Sequence, residues 1–579
     1  MAKWWQERVV YQIYPRSFQD TDGDGIGDIP GIIAHLDDLK ALGVGVLWLS
    51  PVYPSPNADN GYDISDYCAI HPDFGTLADM DRLIAEATRR NIRIIMDLVI
   101  NHTSDEHPWF QASRDPESPF RDWYIWRPGR NRKPGDERGD PPSNWTSFFA
   151  EDCWEYDARS GEYYLHLFAK KQPDLNWRNP AVMAAIREVM RFWLDRGIAG
   201  FRCDVINILF KTSLEDGKKK LILTGSEHYL SQEGTHKILR TLRREVLSRY
   251  DCFTVGETVF VTPKEGRDLC MPERGELDMI FSFEHMDTDQ WVVKWFKRRF
   301  HPGRFARALA RWQEALPWNA NYFENHDQPR SVSRFGNDRR WWAESAKLLC
   351  AMLLTLRGTP FIYQGQEIGM TNFDFHGMDE VRDVESHNVD SMLKRMHVPG
   401  FLRWRLIRAT SRDNARTPMQ WNASDHAGFT TGTPWLAVNR NFERINMDIQ
   451  RHDPDSVLFF WKRMIALRAG NRILIEGAFL PLAAGRRFVA YRRDYDGESL
   501  TVMLNFSGKR LAVPCLGEVI LSSYGRVFFD GVLRPWEAMI LRVGRVATPT
   551  PLWCRVARVR QAGGAFLWMA DTKKEAPNE

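Results

Sequence analysis

Eight short apolar runs alternate with amphipathic helical patterns along most of this chain, and that alternation limits its fold more than any other feature. The runs are "RVVYQIY" (8–14), "VGVLWLSPV" (44–52), "IRIIMDLVIN" (92–101), "IAGFRCDVI" (198–206), "CFTVGE" (252–257), "LDMIFSF" (277–283), "NANYFENHD" (319–327) and "TPFIYQGQE" (359–367). Between them lie segments such as "GIIAHLDDLKALG" and "MAAIREVMRFWLDRG", where apolar residues recur at helical spacing. Strands alternating with helices build a parallel sheet, and eight such units predict an α/β fold, a closed (β/α)8 TIM barrel. An open doubly wound sheet is the competing arrangement. It calls for a glycine-rich phosphate loop after the first strand, and none follows "RVVYQIY".

The runs also end alike. Asp97, Asn101 and His102, then Arg202 and Asp204, Glu257, and His326 and Asp327 cluster at their C-terminal ends, where barrels carry their active sites. The long gap between the third and fourth runs contains "RDPESPFRDWYIWRPGRNRKPGDERGDPPSNW", too rich in Pro, Gly and charge for one helix. It predicts an inserted subdomain over the barrel mouth. A second irregular stretch, roughly 370–450, lies beyond the eighth run. From about 485 short strand-like segments suggest a C-terminal all-β sandwich. The expected division is barrel over 1–104 and 173–480, inserted subdomain over 105–172, sandwich over 481–545, and a flexible tail or ordered appendage over 546–579.

Composition removes several function classes. A net charge of +3 on 579 residues gives no electrostatic case for nucleic acid. No apolar run approaches the roughly 20 residues of a membrane span. The start, "MAKWWQERVVYQIYP", has no signal-peptide pattern, and eight cysteines lack a repeating spacing. Both point to buried free thiols in a reducing, cytoplasmic compartment. Twenty-three tryptophans are mostly core material, but they also suit a site that stacks sugar rings.

"GFRCDVIN" (200–207) puts Arg202 and Asp204 on one face of an otherwise apolar strand. Cys203, by the same alternation, points away and packs as a small hydrophobe. Asp204, Glu257 and Asp327 end three different runs. Any one of them could be half of a buried ion pair. Three carboxylates gathered at one barrel end raise each other's pKa, which folds avoid and catalysis uses. Retaining glycoside hydrolysis needs one ionised carboxylate and one protonated carboxyl, about 5 Å apart. Arg202 is expected to keep Asp204 ionised. Glu257, beside Val255 and with no cation adjacent in sequence, is expected to hold its proton.

"DLVINHTSDEH" (97–107), "GFRCDVIN", "VGET" (255–258) and "ENHDQPRSVSRFGND" (324–338) resemble the four signature segments of the α-amylase superfamily, in order. "TDGDGIGDIPGI", "DNGYDISDY", "YLHLFAKKQPDLNW" and "SRDNARTPMQW" narrow the resemblance to oligo-1,6-glucosidases of the isomaltase and dextran-glucosidase type, over residues 1 to about 545. It implies exo-hydrolysis with retention on small oligosaccharides, by a monomer or small homo-oligomer without nucleic-acid or membrane partners. It also implies Asp204 as nucleophile, Glu257 as acid/base and Asp327 as transition-state stabiliser. Asp63, His102, Arg202, His326 and Arg412 would hold the non-reducing-end glucose, with Phe168 and Gln172 lining the pocket. Asp63 and Arg412 are expected to form the polar wall that closes it.

Val205, after the nucleophile, resembles the valine of α-1,6-specific enzymes and would crowd the +1 sugar of an α-1,4 link; plain packing is the other reading. Such a change alters preference by about 1–3 kcal/mol. Two neighbouring activities stay open. Sucrose isomerases carry "RLDRD" where this chain has "HMDTD" (285–289). Trehalose-6-phosphate hydrolases need cations such as Lys170 and Lys171. A non-catalytic amylase-like subunit would lack the carboxylates. "DTDGDGIGD" (20–28) places Asp20, Asp22, Asp24, Ile26 and Asp28 at EF-hand-like positions, but Gly31 stands where the bidentate Glu belongs. Either a solvated acidic turn or a structural metal site fits, and the resemblance implies Ca²⁺ on those five residues.

Overall fold

The computed structural model describes residues 2–543 apart from 150, 221, 292, 293 and 516, so the predicted tail, 546–579, lies outside the described residues. The barrel strands are β1 (Val10–Ile13), β2 (Val46–Leu49), β3 (Arg93–Leu98), β7 (Gly200–Cys203), β8 (Phe253–Glu257), β9 (Met279–Phe281), β10 (Ala320–Asn321) and β11 (Thr359–Tyr363). All eight fall inside the predicted runs. They pair in parallel in the order β10-β11-β1-β2-β3-β7-β8-β9. Strands buried on both faces read as continuous apolar runs, which is why they are visible in sequence.

The sheet curls until β9 meets β10, where no ladder forms among the described residues. Side chains bridge that seam. The Tyr322 hydroxyl donates to the Ser282 carbonyl at 3.1 Å, and His285 Nε2 meets the Tyr322 carbonyl at 2.9 Å. Helices cap the outside. Asn179 accepts from the Ala181 amide to start helix Pro180–Asp195, whose apolar face packs on the barrel.

The insert leaves and re-enters the barrel as paired chains: the Thr103 amide donates to Pro173 O at 3.2 Å and the Asp105 amide to Lys171 O at 3.0 Å. That crossing falls at the predicted 105–172 boundary. Inside it β4 (Trp126–Arg127), β5 (Trp154–Asp157) and β6 (Glu162–Leu165) form an antiparallel sheet in the order β4-β6-β5. The stretch 370–450, irregular in sequence, contains helices Val384–Arg395 and Gly400–Thr410, joined by an apolar cluster of Trp295, Val389, Leu393 and Ile407.

The C-terminal unit begins at Ala478, three residues before the predicted boundary. It holds β12 (Ala478–Ala484), β13 (Phe488–Tyr495), β14 (Glu498–Asn505), β15 (Leu511–Ala512), β16 (Glu518–Ser522), β17 (Val532–Leu533) and β18 (Ala538–Val543). Five strands form one antiparallel sheet, β12-β13-β14-β18-β16, and β15 pairs with β17. Alternation gives the large sheet two apolar faces. Ala490, Met503, Met539 and Leu541 pack toward Val513, Phe529 and Leu533, while Tyr491, Val502, Leu504 and Ile540 join the barrel's own core.

Candidate active site

Parallel pairing puts Asp97 of β3 in register with Arg202 of β7, and Arg202 in register with Val255 of β8. The inward-pointing side chains at those three strand ends therefore converge. Arg202, 1% exposed, is the hub. Its Nη1 lies 2.6 Å from Asp97 Oδ1 and 2.5 Å from Asp204 Oδ1; its Nη2 lies 2.7 Å from Glu257 Oε2. The expectation that Glu257 has no cation beside it is corrected. Fifty-odd residues separate the two in sequence, but adjacent strands bring them together.

One guanidinium thus faces three buried carboxyls. Burial pushes the Asp204 carboxyl well above the usual carboxylate range; Arg202 opposes the shift, and Glu257 and Asp97 reinforce it. Asp97 is likewise raised by burial against the pull of Arg202. Arg202 therefore favours the ionised form of Asp204, and burial works against it. Cys203 points into the apolar core, as the alternation predicts, and burial pushes its thiol up to about 12.

Asp327 stands across the pocket with a side chain 29% exposed, gripped from behind. Arg416 Nη2 lies 2.7 Å from its Oδ1, Arg412 Nη1 3.4 Å, and His326 Nε2 3.2 Å from its Oδ2. Burial would raise its pKa, but His326, Arg412 and Arg416 overturn that and hold it well below the usual range. His326 is itself fixed. The Gln12 amide nitrogen lies 2.8 Å from its Nδ1, the Tyr62 hydroxyl 2.7 Å from its Nε2, and the Tyr62 ring stacks on it at 5.2 Å. Because an amide NH₂ only donates, Nδ1 accepts from Gln12, and Nε2 faces both the Tyr62 hydroxyl and Asp327.

The polar wall is built differently from the expectation. Asp63 is fully buried, and its two oxygens accept the backbone amides of Ala58 and Asp59 at 2.8 and 3.0 Å. It shapes the loop. The residue that meets Arg412 is Asp59, at 3.0 Å from Nη2, with Asp383 at 2.7 Å on the same nitrogen. Gln172 Nε2 reaches Asp59 Oδ2 at 3.3 Å and His102 Nε2 at 3.1 Å, and Phe168 packs on the His102 ring at 5.1 Å. Arg412, Gln172, His102 and Phe168 thus come together as expected, with Asp59 in place of Asp63. Both aspartates belong to "DNGYD", and a loop without periodicity does not say which one faces the pocket. Asp97 sits at a strand end, where the sequence put the polar cluster. Tyr62, Asp383 and Arg416 were missed: Tyr62 lies inside "DNGYDISDY" and Arg416 inside "SRDNARTPMQW", while Asp383 has no local signal.

Val205 follows with φ +34° and ψ +42°, left-handed backbone that a β-branched residue rarely adopts. Its amide points at Glu257 Oε2, 3.3 Å away. Its side chain joins the insert's apolar cluster with Ile125, Leu167, Ile208 and Tyr229, against which Phe168 and Val259 pack. In the acidic loop, carboxylate oxygens of Asp20, Asp22 and Asp28 lie within 4.8 Å of one another. Asp24 stands outside that group, with its Oδ1 accepting the Ile26 amide at 2.7 Å.

A near-closed parallel barrel with a β3 insert, an antiparallel C-terminal sheet, and three carboxyls around one arginine at the strand ends define an amylase-type glycosidase architecture. Residues 12–477 match the alpha amylase catalytic domain, and the chain belongs to that family. It is 47% identical over 573 residues to an oligo-1,6-glucosidase of Parageobacillus thermoglucosidasius, covering 93% of this chain and 99% of that one. Among solved structures it is similar to the isomaltulose synthase of Erwinia rhapontici NX5, with a TM-score of 0.90, 39% identity, and 94% and 100% of the two chains covered. It is also similar to the trehalose-6-phosphate hydrolase of Bacillus licheniformis, with a TM-score of 0.87, 41% identity, and 93% and 100% covered.

Proposed function

We propose that this chain is a retaining, exo-acting glycoside hydrolase that cuts terminal α-1,6-glucosidic bonds of isomaltose, isomalto-oligosaccharides, panose and dextran ends, releasing glucose. The observation that carries the reading is the pair Asp204 and Glu257 held on the two terminal nitrogens of one guanidinium. Sharing one guanidinium supports the short separation, about 5 Å, of the retaining route over the wider gap that admits a water. The retaining route needs a proton on Glu257 and a charge on Asp204. Asp204 attacks the anomeric carbon while Glu257 protonates the departing glycosidic oxygen. The glucosyl–Asp204 ester then meets water, from which Glu257, now a carboxylate, removes a proton. Two inversions return α-glucose.

Asp327 is held charged by its arginines, and with His326 Nε2–H it grips the 2- and 3-hydroxyls, contacts that strengthen as the ring flattens. Behind the sugar, Asp59, Gln172, Arg412 and His102 occupy the space a further glucose unit would need, which supports cutting from a chain end. The name of the 47%-identical relative supports the α-1,6 linkage. Against a phosphorylated substrate, Lys171 is already engaged by Asp105 and Glu106, at 2.8 and 3.2 Å.

The acidic loop fits a hard cation. Three carboxylates converge and, among the described residues, no lysine or arginine pairs with them, so Asp20, Asp22 and Asp28 would hold Ca²⁺, which would neutralise the loop and fix its path. Free thiols at Cys68, Cys153, Cys203, Cys252, Cys270 and Cys350 support a reducing, cytoplasmic setting, and no helix among the described residues is long and apolar enough to cross a membrane. The test is turnover of isomaltose, maltose, sucrose and trehalose 6-phosphate by the protein and by Asp204→Ala. Isomaltose is expected to be the best substrate, with α-glucose the first product by proton NMR, and Asp204→Ala to lose at least 10³-fold. Comparable activity in the variant, or β-glucose first, would overturn the reading.

A further inference from the structure

Which nitrogen of His102 carries its proton is decided behind the ring, by a lysine outside the signature segments. Lys211 lies in the chain after β7 and is buried. Its ammonium is 2.6 Å from Asp174 Oδ2, 2.9 Å from Asn101 Oδ1 and 3.3 Å from the Leu209 carbonyl. An ammonium has three hydrogens and no acceptor, so Asn101 must turn its carbonyl oxygen toward it. The Asn101 NH₂ then faces Asp174 Oδ2 at 3.1 Å and His102 Nδ1 at 3.2 Å.

An amide NH₂ only donates, so Nδ1 accepts. Across the ring, Nε2 lies 3.2 Å from the Tyr62 carbonyl, which only accepts. Both sides give the same answer: the proton is on Nε2. Gln172 Nε2 also approaches that nitrogen, but its hydrogens go to Asp59 Oδ2 and the Tyr62 carbonyl, while its Oε1 accepts the Ala169 amide. The other tautomer would set Nδ1–H against the Asn101 hydrogens and leave the Tyr62 carbonyl unpaired. Burial lowers the imidazole pKa, assisted by Lys211 and opposed by Asp174, Asp59 and the Tyr62 carbonyl, which favours the neutral ring.

We propose that Lys211 is a positioning residue for substrate binding. Acting through the Asn101 amide, it fixes His102 as the neutral, Nε2-protonated imidazole, whose one N–H can pass from the Tyr62 carbonyl to a hydroxyl of the bound glucose while the Gln172 amide still donates to that carbonyl. This rests on the reading of His102 as a glucose-binding residue. Asp174 ties the same lysine to the insert, where its Oδ1 accepts the Leu167 amide at 2.9 Å, so the insert and the tautomer are held by one ammonium.

The test is the ring-nitrogen NMR signature of ¹⁵N-histidine-labelled protein, assigned with a His102→Gln control, alongside isomaltose kinetics. Two variants are compared. In Lys211→Met/Asp174→Asn the buried pair is removed together, so no charge is stranded and the Asn101 amide is free to turn over. In Asn101→Asp the carboxylate can only accept, so it demands a proton on Nδ1. The expected result is an Nε2–H signature in the parent from pH 5 to 8 and an Nδ1-protonated ring in both variants. KM for isomaltose should rise about tenfold, the loss of one hydrogen bond, with kcat changed less than threefold. An Nε2–H signature persisting in both folded variants overturns the proposal. A switched tautomer with unchanged KM leaves Lys211 as the positioning group and removes His102 from the glucose site instead.

Discussion

Val205 pairs a left-handed backbone beside the carboxyls with a side chain on which the linkage and packing readings can be separated. Its left-handed conformation costs a β-branched residue about 1–3 kcal/mol. Val205→Ala deletes two buried methyl groups, worth about 2 kcal/mol, and relieves part of that strain. Thermal melting should therefore shift by less than about 4 °C, while the ratio of maltose to isomaltose turnover rises about tenfold. An unchanged ratio would assign Val205 to packing alone. Asp63 gives a second handle. Burial lifts its carboxyl to about 6, against an unfolded value near 3.9. A raised acid contributes stability that is present below about pH 4 and is lost as pH climbs through 6. The stability advantage of the parent over Asp63→Asn, read from urea unfolding, should narrow by about 2 kcal/mol between pH 4.5 and 7.

The acidic loop works on the site through a chain of bonds between elements. Its Asp20 amide donates to the Phe429 carbonyl at 3.0 Å, Thr430 binds the Asp20 carboxylate, and the Trp435 amide donates to the Gly25 carbonyl at 3.0 Å. From there Trp435 reaches the Ser17 hydroxyl, Ser17 donates to the Arg416 carbonyl at 2.6 Å, and Arg416 holds Asp327. A chelator should therefore lower the melting temperature by several degrees and raise KM for isomaltose in the same titration. Stability lost without any change in KM would confine the loop to local folding. The helices of 370–450 were not legible in sequence. Gly400–Thr410 buries only Ile407 and Thr410, so it lacks the apolar stripe that marks a helix.

The barrel and the C-terminal sheet share one apolar core. Arg468 and Arg493 lie buried between them and donate to carbonyls of Leu354, Leu356, Gly358, Thr355, Leu474 and Gly477. A chain ending at 477, where the catalytic-domain match stops, would expose the apolar face beneath β13 and β14. It should be insoluble or melt at least 10 °C lower than the parent; a soluble, active fragment would refute the interdependence. At this scale the sequence was most readable, because buried parallel strands are short apolar blocks and their polar ends mark the mouth. What stayed hidden was contact between distant segments. Arg202 touching Glu257, and Asp59 rather than Asp63 touching Arg412, are set by barrel closure and loop path, which no local spacing records.

The Arg202 hub has a consequence beyond the reaction. Three carboxyls share one guanidinium there, so a protonated amine of sugar size entering the pocket would meet acceptors on several sides. Amine buffers are therefore expected to compete with isomaltose, raising its KM; an unchanged KM in their presence would show that the pocket does not take them.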